Sequence, residues 1–203
     1  GANGKFGYGD IDFSLVQQAK ILHVAGSLVM PGLDGEPTAR LLKQAKQMGV
    51  VTSLDTVWNS SINAYTTIKP SLKYLDYFLP SIDEARLMTG QDSPADIAAF
   101  FLDQGVKMVG LKMGAEGCYL HNAQISLHIP AFKIAVVDTS GAGDAWVGGF
   151  LAGMVKGWDL ERTGQFGCAA GALCAGAIGT TTGLKNMEET LGFIEKAEVL
   201  NIK

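Results

Sequence analysis

Short apolar runs alternate with stretches of helical period along this chain, and this alternation limits its possible folds more than any other feature. Alternating strand and helix signals are typical of parallel βαβ units. A Pro70-led turn is expected before the third strand, and a hairpin over 118–131, turning near Asn122, would add antiparallel strands at one edge of the sheet. The pattern predicts strands at 21–25, 50–54, 74–79 and Met108–Lys112, and helices at 10–19, 38–48 and 95–104.

The last third of the chain is predicted to be mostly helical. Small residues recur at helical spacing through Ala142–Lys156, which suits a helix that approaches the sheet closely. Asp159 is expected to cap a second helix that extends to about residue 177, and a last amphipathic helix is expected over 187–196. A chain of 203 residues can bury about 70% of its unfolded surface in one domain, so a single α/β domain is expected.

The glycine bend at residues 141–144 (Gly-Ala-Gly-Asp) carries the clearest chemical signal. A β-branched run precedes the bend and a Gly/Ala-rich run follows it, which predicts a strand-to-helix corner whose free amides face an anion. The carboxylate of Asp144 suits phosphoryl transfer, because the amides stabilise the developing charge while the carboxylate accepts the proton of the attacking hydroxyl. Asp is also a preferred helix cap, so the spacing alone favours neither interpretation.

Two common phosphate motifs do not fit this bend. In the dinucleotide fingerprint G-x-G-x-x-G, the third glycine would fall at Trp146. In the pattern G-x-x-x-x-G-K-[ST], Gly148 and Gly153 have the right separation, but Met154 and Val155 follow them. A nicotinamide-dependent oxidoreductase is therefore disfavoured, and the bend is a different kind of phosphate site.

Residues 138–144, Asp-Thr-Ser-Gly-Ala-Gly-Asp, resemble the D-T-x-G-A-G-D signature of the ribokinase-like (PfkB-type) carbohydrate kinases. Three more segments follow in that family's order. Residues 78–85 resemble its N-x-x-E motif, with Ser81 in place of the usual Asn. Residues 109–117 resemble its T-x-G-x-x-G segment, with Lys112 in place of Thr, and residues 179–184 resemble its late glycine-bearing loop.

The resemblance implies a role for each matching position. Asp144 matches the catalytic base, and Glu84 matches the acidic residue that organises Mg2+. Ser81 and Glu84 also form the S-x-x-E capping box, and that structural interpretation is the stronger one for these two residues alone. The other implied positions are the anion hole at Gly141, Ala142 and Gly143, the nucleotide contacts at Lys112, Gly114, Gly117, Cys168, Gly179 and Gly183, and a monovalent-cation site at Asp138 and Ser140.

The fold implied by the resemblance is a three-layer α/β/α sandwich of ribokinase type, with a mostly parallel sheet and antiparallel edge strands. The implied reaction is ATP-dependent phosphorylation of a sugar hydroxyl, with Mg2+ and a K+ candidate as cations. A non-catalytic nucleotide or anion binder of the same fold is the alternative. Residues 1–203 match the nucleotide-binding and phosphoryl-transfer core without the family's N-terminal sugar-binding and lid portion. We therefore expect the chain alone to phosphorylate sugar poorly, and a homodimer through that lid is compatible with the resemblance.

Composition limits the partners and the location. The net charge of -4 provides no general attraction for nucleic acid. No apolar run approaches the roughly 20 residues of a membrane span. The three cysteines match neither a disulfide framework nor a zinc pair, so they are interpreted as reduced core thiols. Together these features favour a cytoplasmic protein that binds small molecules.

Overall fold

The structure is a computed structural model that describes residues 1–201. It contains a six-stranded mixed sheet in the order β1-β2-β3-β4-β5-β6. The strands are β1 (Ile21–Ser27), β2 (Val51–Thr56), β3 (Tyr77–Phe78), β4 (Met108–Lys112), β5 (Cys118–Asn122) and β6 (Ser126–Ile129). The helices are α1 (Phe13–Gln18), α2 (Glu36–Gln47), α3 (Ala64–Leu72), α4 (Ile82–Thr89), α5 (Pro94–Asp103), α6 (Ala142–Lys156), α7 (Leu160–Ala175) and α8 (Met187–Ile194). The predicted α/β class, with antiparallel strands at the sheet edge, is confirmed.

The chain divides into two compact units. The first unit contains residues 1–111 and 121–125, and the second contains residues 112–120 and 126 onward.

In the first unit, parallel strands alternate with helices, as the sequence pattern predicts. Strands β1 to β4 pair in parallel, with Ile21 opposite Val51 and Tyr77 opposite Met108. Residues such as Leu54 are fully buried between the sheet and its helices. Side-chain caps start four of these helices, because Asp12, Asn63, Ser81 and Ser93 each accept a backbone N–H of the first turn.

The prediction of a turn at Pro70 is wrong, because Pro70 lies inside α3. Asn63 caps this helix, and Ile68 and Leu72, one turn apart, are both buried. The β-branched residues of α3 lower its intrinsic helix propensity, so the sequence pattern did not indicate a helix there. Burial of the apolar face overrides that local preference.

The second unit contains residues 118–120 of β5, all of β6 and three helices, at bounds close to those predicted. Asp159 caps α7 by accepting the Arg162 N–H, as expected. The small residues of α6 serve a different contact from the predicted one. A Cβ on Gly149 would lie 3.0 Å from the Cβ of Ala170, so the glycines of α6 allow close packing against α7.

The prediction of a strand before the glycine bend is also wrong. Val136 and Val137 are 64% and 55% exposed, and no strand precedes α6 after β6. The N–H groups of Val137 and Asp138 both donate to the carbonyl of Ala175, at the end of α7. The backbone therefore satisfies its hydrogen bonds at a helix end, where a strand ladder was predicted.

Candidate active site

The glycine bend begins α6 in a conformation that requires glycine. Gly141 is the N-cap of α6 and has φ +77°. A Cβ at this position would lie 2.8 Å from the Cβ of Thr180, so both the backbone angle and the neighbouring loop exclude a side chain. No side chain caps this helix, and Asp144 is its third residue. The interpretation of Asp144 as a helix cap is therefore wrong.

Backbone amides of the bend differ in whether they have a partner. The Ala142 N–H donates to the carbonyl of Thr139 at 3.1 Å, so it is already used within the turn. The N–H groups of Gly141, Gly143 and Asp144 have no acceptor among residues 1–201. They lie at the positive end of a 15-residue helix, where the helix dipole favours an anion.

Two side chains of opposite charge accompany these amides. The carboxylate of Asp144 is exposed and accepts no hydrogen bond from the described part of the chain. Lys112, at the end of β4, reaches the first turn of α6, with its Nζ 3.6 Å from where a Cβ on Gly143 would stand. The first turn of α6 therefore presents amide donors, an open carboxylate and a nearby ammonium group.

Asp138 connects the bend to the loop at 178–183. Its Oδ1 accepts the Ser140 N–H at 2.9 Å and its Oδ2 accepts the Gly179 N–H at 3.0 Å. Hydrogen bonds from the backbone and side chain of Ser140, followed by the Gly179 N–H, lower the pKa of this carboxyl group. Both predicted cation residues are thus brought together with Gly179, while Gly183 lies in the same loop.

Cys174 is a second link between these segments that sequence reasoning missed. Its thiol is buried and lies 3.5 Å from the Ser140 carbonyl and 3.1 Å from the Thr180 carbonyl. Burial raises the pKa of Cys174, and the charges of Asp138 and Asp144 raise it further. The contacts join residues far apart in the chain, so no local sequence signal could have revealed them.

The remaining predicted nucleotide residues lie on the turn between β4 and β5 and on α7. Gly114 begins a short 3-10 turn, and Gly117 accepts the Met113 N–H at 2.8 Å through its carbonyl. Cys168 is buried, with its Sγ 3.6 Å from the Sγ of Cys118. All three cysteines are free and buried, which confirms the interpretation of them as core thiols.

Glu84 lies in the first unit, whereas the other predicted site residues lie in the second. The capping box is confirmed, because Glu84 Oε2 accepts the Ser81 N–H at 2.9 Å and the Ser81 hydroxyl at 2.7 Å, while the Glu84 N–H donates back. The hydroxyl of Thr56, which the sequence reasoning missed, donates to the same oxygen at 3.1 Å. Glu84 Oε1 accepts no hydrogen bond from the residues that the structure covers, so one carboxylate oxygen is open.

Residues 1–201 contain neither a metal-binding cluster nor a membrane-spanning helix. No cluster of three or more His, Cys, Asp or Glu side chains could hold a metal ion. None of the helices in this range is both long enough and apolar enough to span a membrane.

Comparison with known proteins identifies the family. The family model described as pfkB family carbohydrate kinase matches residues 6–187. A 2-dehydro-3-deoxygluconokinase of Bacillus subtilis is 30% identical over 196 residues, covering 92% of this chain and 60% of the relative. An ATP-dependent 6-phosphofructokinase of Thermoanaerobacterium thermosaccharolyticum is 27% identical, covering 86% of this chain and 56% of the relative.

Solved structures agree with this family. The structure named ribokinase II from E. coli, in complex with ATP and Mg2+, matches with a TM-score of 0.84 and 26% identity, covering 95% of this chain and 64% of that one. The chain belongs to the pfkB family of carbohydrate kinases, and the resemblance seen in the motifs is confirmed. It spans about 60% of the length of the B. subtilis relative.

Proposed function

We propose that the protein transfers the γ-phosphoryl group of ATP to a hydroxyl group of a sugar or sugar acid. The observation that carries this proposal is the first turn of α6, which presents an open carboxylate beside unpaired amides. Family membership supports the same reaction, and the relatives named above phosphorylate a sugar acid or a sugar phosphate according to their names. Residues 1–203 would form the nucleotide-binding and phosphoryl-transfer core.

Each part of the bend has a defined task in this reaction. Asp144 would accept the proton of the sugar hydroxyl as its oxygen bonds to the γ-phosphorus and the bond to the β-phosphate oxygen breaks, releasing ADP. The N–H groups of Gly141 and Gly143 would donate to the phosphoryl oxygens on which charge develops. The Ala142 N–H is already used by Thr139, so the anion hole would depend on the two glycines.

Lys112 and the loop glycines would hold the nucleotide. The Lys112 ammonium is positioned beside Gly143, where it would add a positive charge next to the phosphates. Gly114 and Gly179 have no backbone neighbour where a Cβ would stand, so a nucleotide could approach their turns closely. A Cβ on Gly117 or Gly183 would clash with the carbonyl of Ile129 or of Leu173, so these two glycines would act by shaping the turns, and Cys168 would contribute only through packing.

The proposed cation sites fit the oxygen chemistry of this chain. Glu84 has one oxygen held by three donors and one open, which suits a hard cation and its waters. A Mg2+ ion held there would supply positive charge for phosphate oxygens of ATP. Asp138 already accepts two N–H groups, so a K+ ion at Asp138 and Ser140 would use the remaining oxygen lone pairs.

The proposal is tested with Asp144→Asn in the complete enzyme, by an ADP-release assay across a sugar panel and by calorimetry for ATP binding. We expect kcat to fall at least ~100-fold, the lower end for a positioned proton acceptor, with ATP affinity retained. Glu161→Gln is the matched control, since Glu161 is an exposed carboxylate in the first turn of α7. An unchanged kcat in the Asp144 variant removes it from the mechanism, and ATP binding without sugar-dependent ADP release favours the non-catalytic alternative.

A further inference from the structure

A groove of about 630 Å3 runs between α2 and α3 in the first unit, and its lining includes no residue assigned to the proposed reaction. This volume lies within the range of small-molecule sites, roughly 300–1,000 Å3. Its charged wall consists of four cationic side chains and one carboxylate: Arg40, Lys43, Lys69, Lys73 and Glu36. The excess of positive charge is opposite in sign to the net charge of -4 of the whole chain.

Three of the four cations of the groove contact aromatic rings. The Arg40 guanidinium lies 4.2 Å from the ring centroid of Tyr8, and the Lys73 ammonium lies 5.1 Å from that of Tyr74. Within residues 1–201, none of the four cations forms an ion pair with a carboxylate. A cation–π contact orders a cationic side chain without neutralising its charge, so the groove keeps its positive potential.

The spacing of these cations is unfavourable without a bound anion. Lys69 and Lys73 are four residues apart at the end of α3, and Arg40 and Lys43 are three apart on α2. Like charges at such spacings repel each other along a helix. An anion between the two helices would turn this repulsion into attraction.

Neutral hydrogen-bond donors complete the groove. The Tyr65 hydroxyl donates to Oε1 of Gln104 at 3.2 Å, which leaves the Nε2 amide hydrogens of Gln104 as donors. The ring of the same tyrosine lies 5.7 Å from Lys69 Nζ. Tyr65 therefore orders both an amide and a cation of the groove wall, while Pro70 adds an apolar surface to the lining.

We propose that this groove binds a small molecule that carries two or more phosphate groups. A single carboxylate would leave most of the four cations uncompensated, whereas linked phosphates match several lysines and the bidentate fork of Arg40. The concave shape and limited volume favour a small molecule over an acidic peptide or a nucleic acid. The groove shares no lining residue with the proposed kinase site, and the proposal does not depend on the kinase chemistry.

Calorimetric titration of the protein with inorganic tripolyphosphate tests the proposal. The double variant Lys69→Gln/Lys73→Gln should weaken binding at least about tenfold, since two charge-assisted contacts are lost. The variant Arg40→Gln/Lys43→Gln should also weaken it, because the anion is placed between the two helices. Circular dichroism and urea unfolding confirm that these exposed substitutions leave the fold intact.

Two controls separate this site from other sources of binding. Lys20→Gln/Lys196→Gln removes the same charge from exposed positions elsewhere and should leave the affinity unchanged. Lys112→Gln alters the glycine bend and should leave groove binding in place. An equal loss of tripolyphosphate affinity in the groove and surface variants would show general electrostatic attraction. A loss of affinity only in the Lys112 variant would place the anion at the bend. A Kd above about 1 mM for the unmodified protein would show that the groove is not a binding site. Each of these three results overturns the proposal.

Discussion

Asp76 holds the most extensive charged network of the first unit. Its Oδ1 accepts from Lys46 Nζ at 2.7 Å and Lys107 Nζ at 2.8 Å, and its Oδ2 accepts the N–H and the hydroxyl of Thr52 at 2.9 and 3.0 Å. The Asp76 side chain is only 12% exposed. The network ties the end of α2, the start of β2 and the start of β4 to one carboxylate.

The pKa of Asp76 provides the magnitude of its contribution. Burial alone would raise the pKa, but hydrogen bonds from Lys107, Lys46 and the Thr52 N–H outweigh burial and lower it from 3.8 to about 2. That difference corresponds to about 2 kcal/mol of folding free energy. Because the folded-state pKa is the lower one, this stability is present above pH 3.8 and is lost as the pH falls towards 2.

We therefore expect Asp76→Asn to lower the free energy of unfolding by about 2 kcal/mol at pH 7, as measured by urea denaturation. At pH 3 the difference from the wild type should shrink to about 1 kcal/mol, since the wild-type carboxylate is then partly protonated in the unfolded chain. Asp83→Asn is the control, because Asp83 is 83% exposed and its pair with Arg86 should contribute less than about 0.5 kcal/mol. The reasoning is refuted if the Asp76 effect does not depend on pH, or if it is no larger than that of the control.

Two further predictions concern the second unit. Gly141→Ala should destabilise the protein by about 1–3 kcal/mol and weaken ATP binding, because it forces a side chain into a backbone conformation and a space that exclude it. Gly148→Ala, on the exposed side of the same helix with no neighbour within 4 Å, should be neutral or stabilising in thermal unfolding; equal effects of the two variants would contradict the account of the bend. Cys174, buried and with a raised pKa, should react with a thiol reagent at pH 8 only after denaturation, and rapid reaction of the native protein would be contrary to its burial.

Elements with a strong local signal were predicted well. The bounds of Met108–Lys112 and Ala142–Lys156 agree with the sequence pattern at both ends, and the hairpin turns where Asn122 suggested. Helix α3 and the segment before the bend were predicted wrongly. In both cases local propensity was overruled by a distant contact, namely burial of Ile68 in α3 and the hydrogen bonds that Ala175 accepts from residues before the bend.

The candidate site residues were also predicted only in part from the sequence. The order of the four motifs indicated the family of this chain, because a long pattern of residue types can be recognised from the sequence without coordinates. Taken alone, Ser81 and Glu84 favoured a capping box, and the structure shows that they form one. The metal role of Glu84 stays a prediction, and it now rests on the one oxygen that the cap leaves open.

By itself, the sequence determined the alternation of strands and helices and the family, whereas the need for a glycine at position 141 became evident only from the backbone angle and the neighbouring loop. Only the tertiary structure decided which amides of the bend are unpaired, that Asp144 is open to solvent, and that Lys112 reaches the same turn. It also brought the cations of α2 and α3 to one groove. The physical reason is range: backbone preferences and motifs act over a few neighbouring residues, whereas hydrogen-bond partners and local charge depend on segments that meet only when the chain has folded.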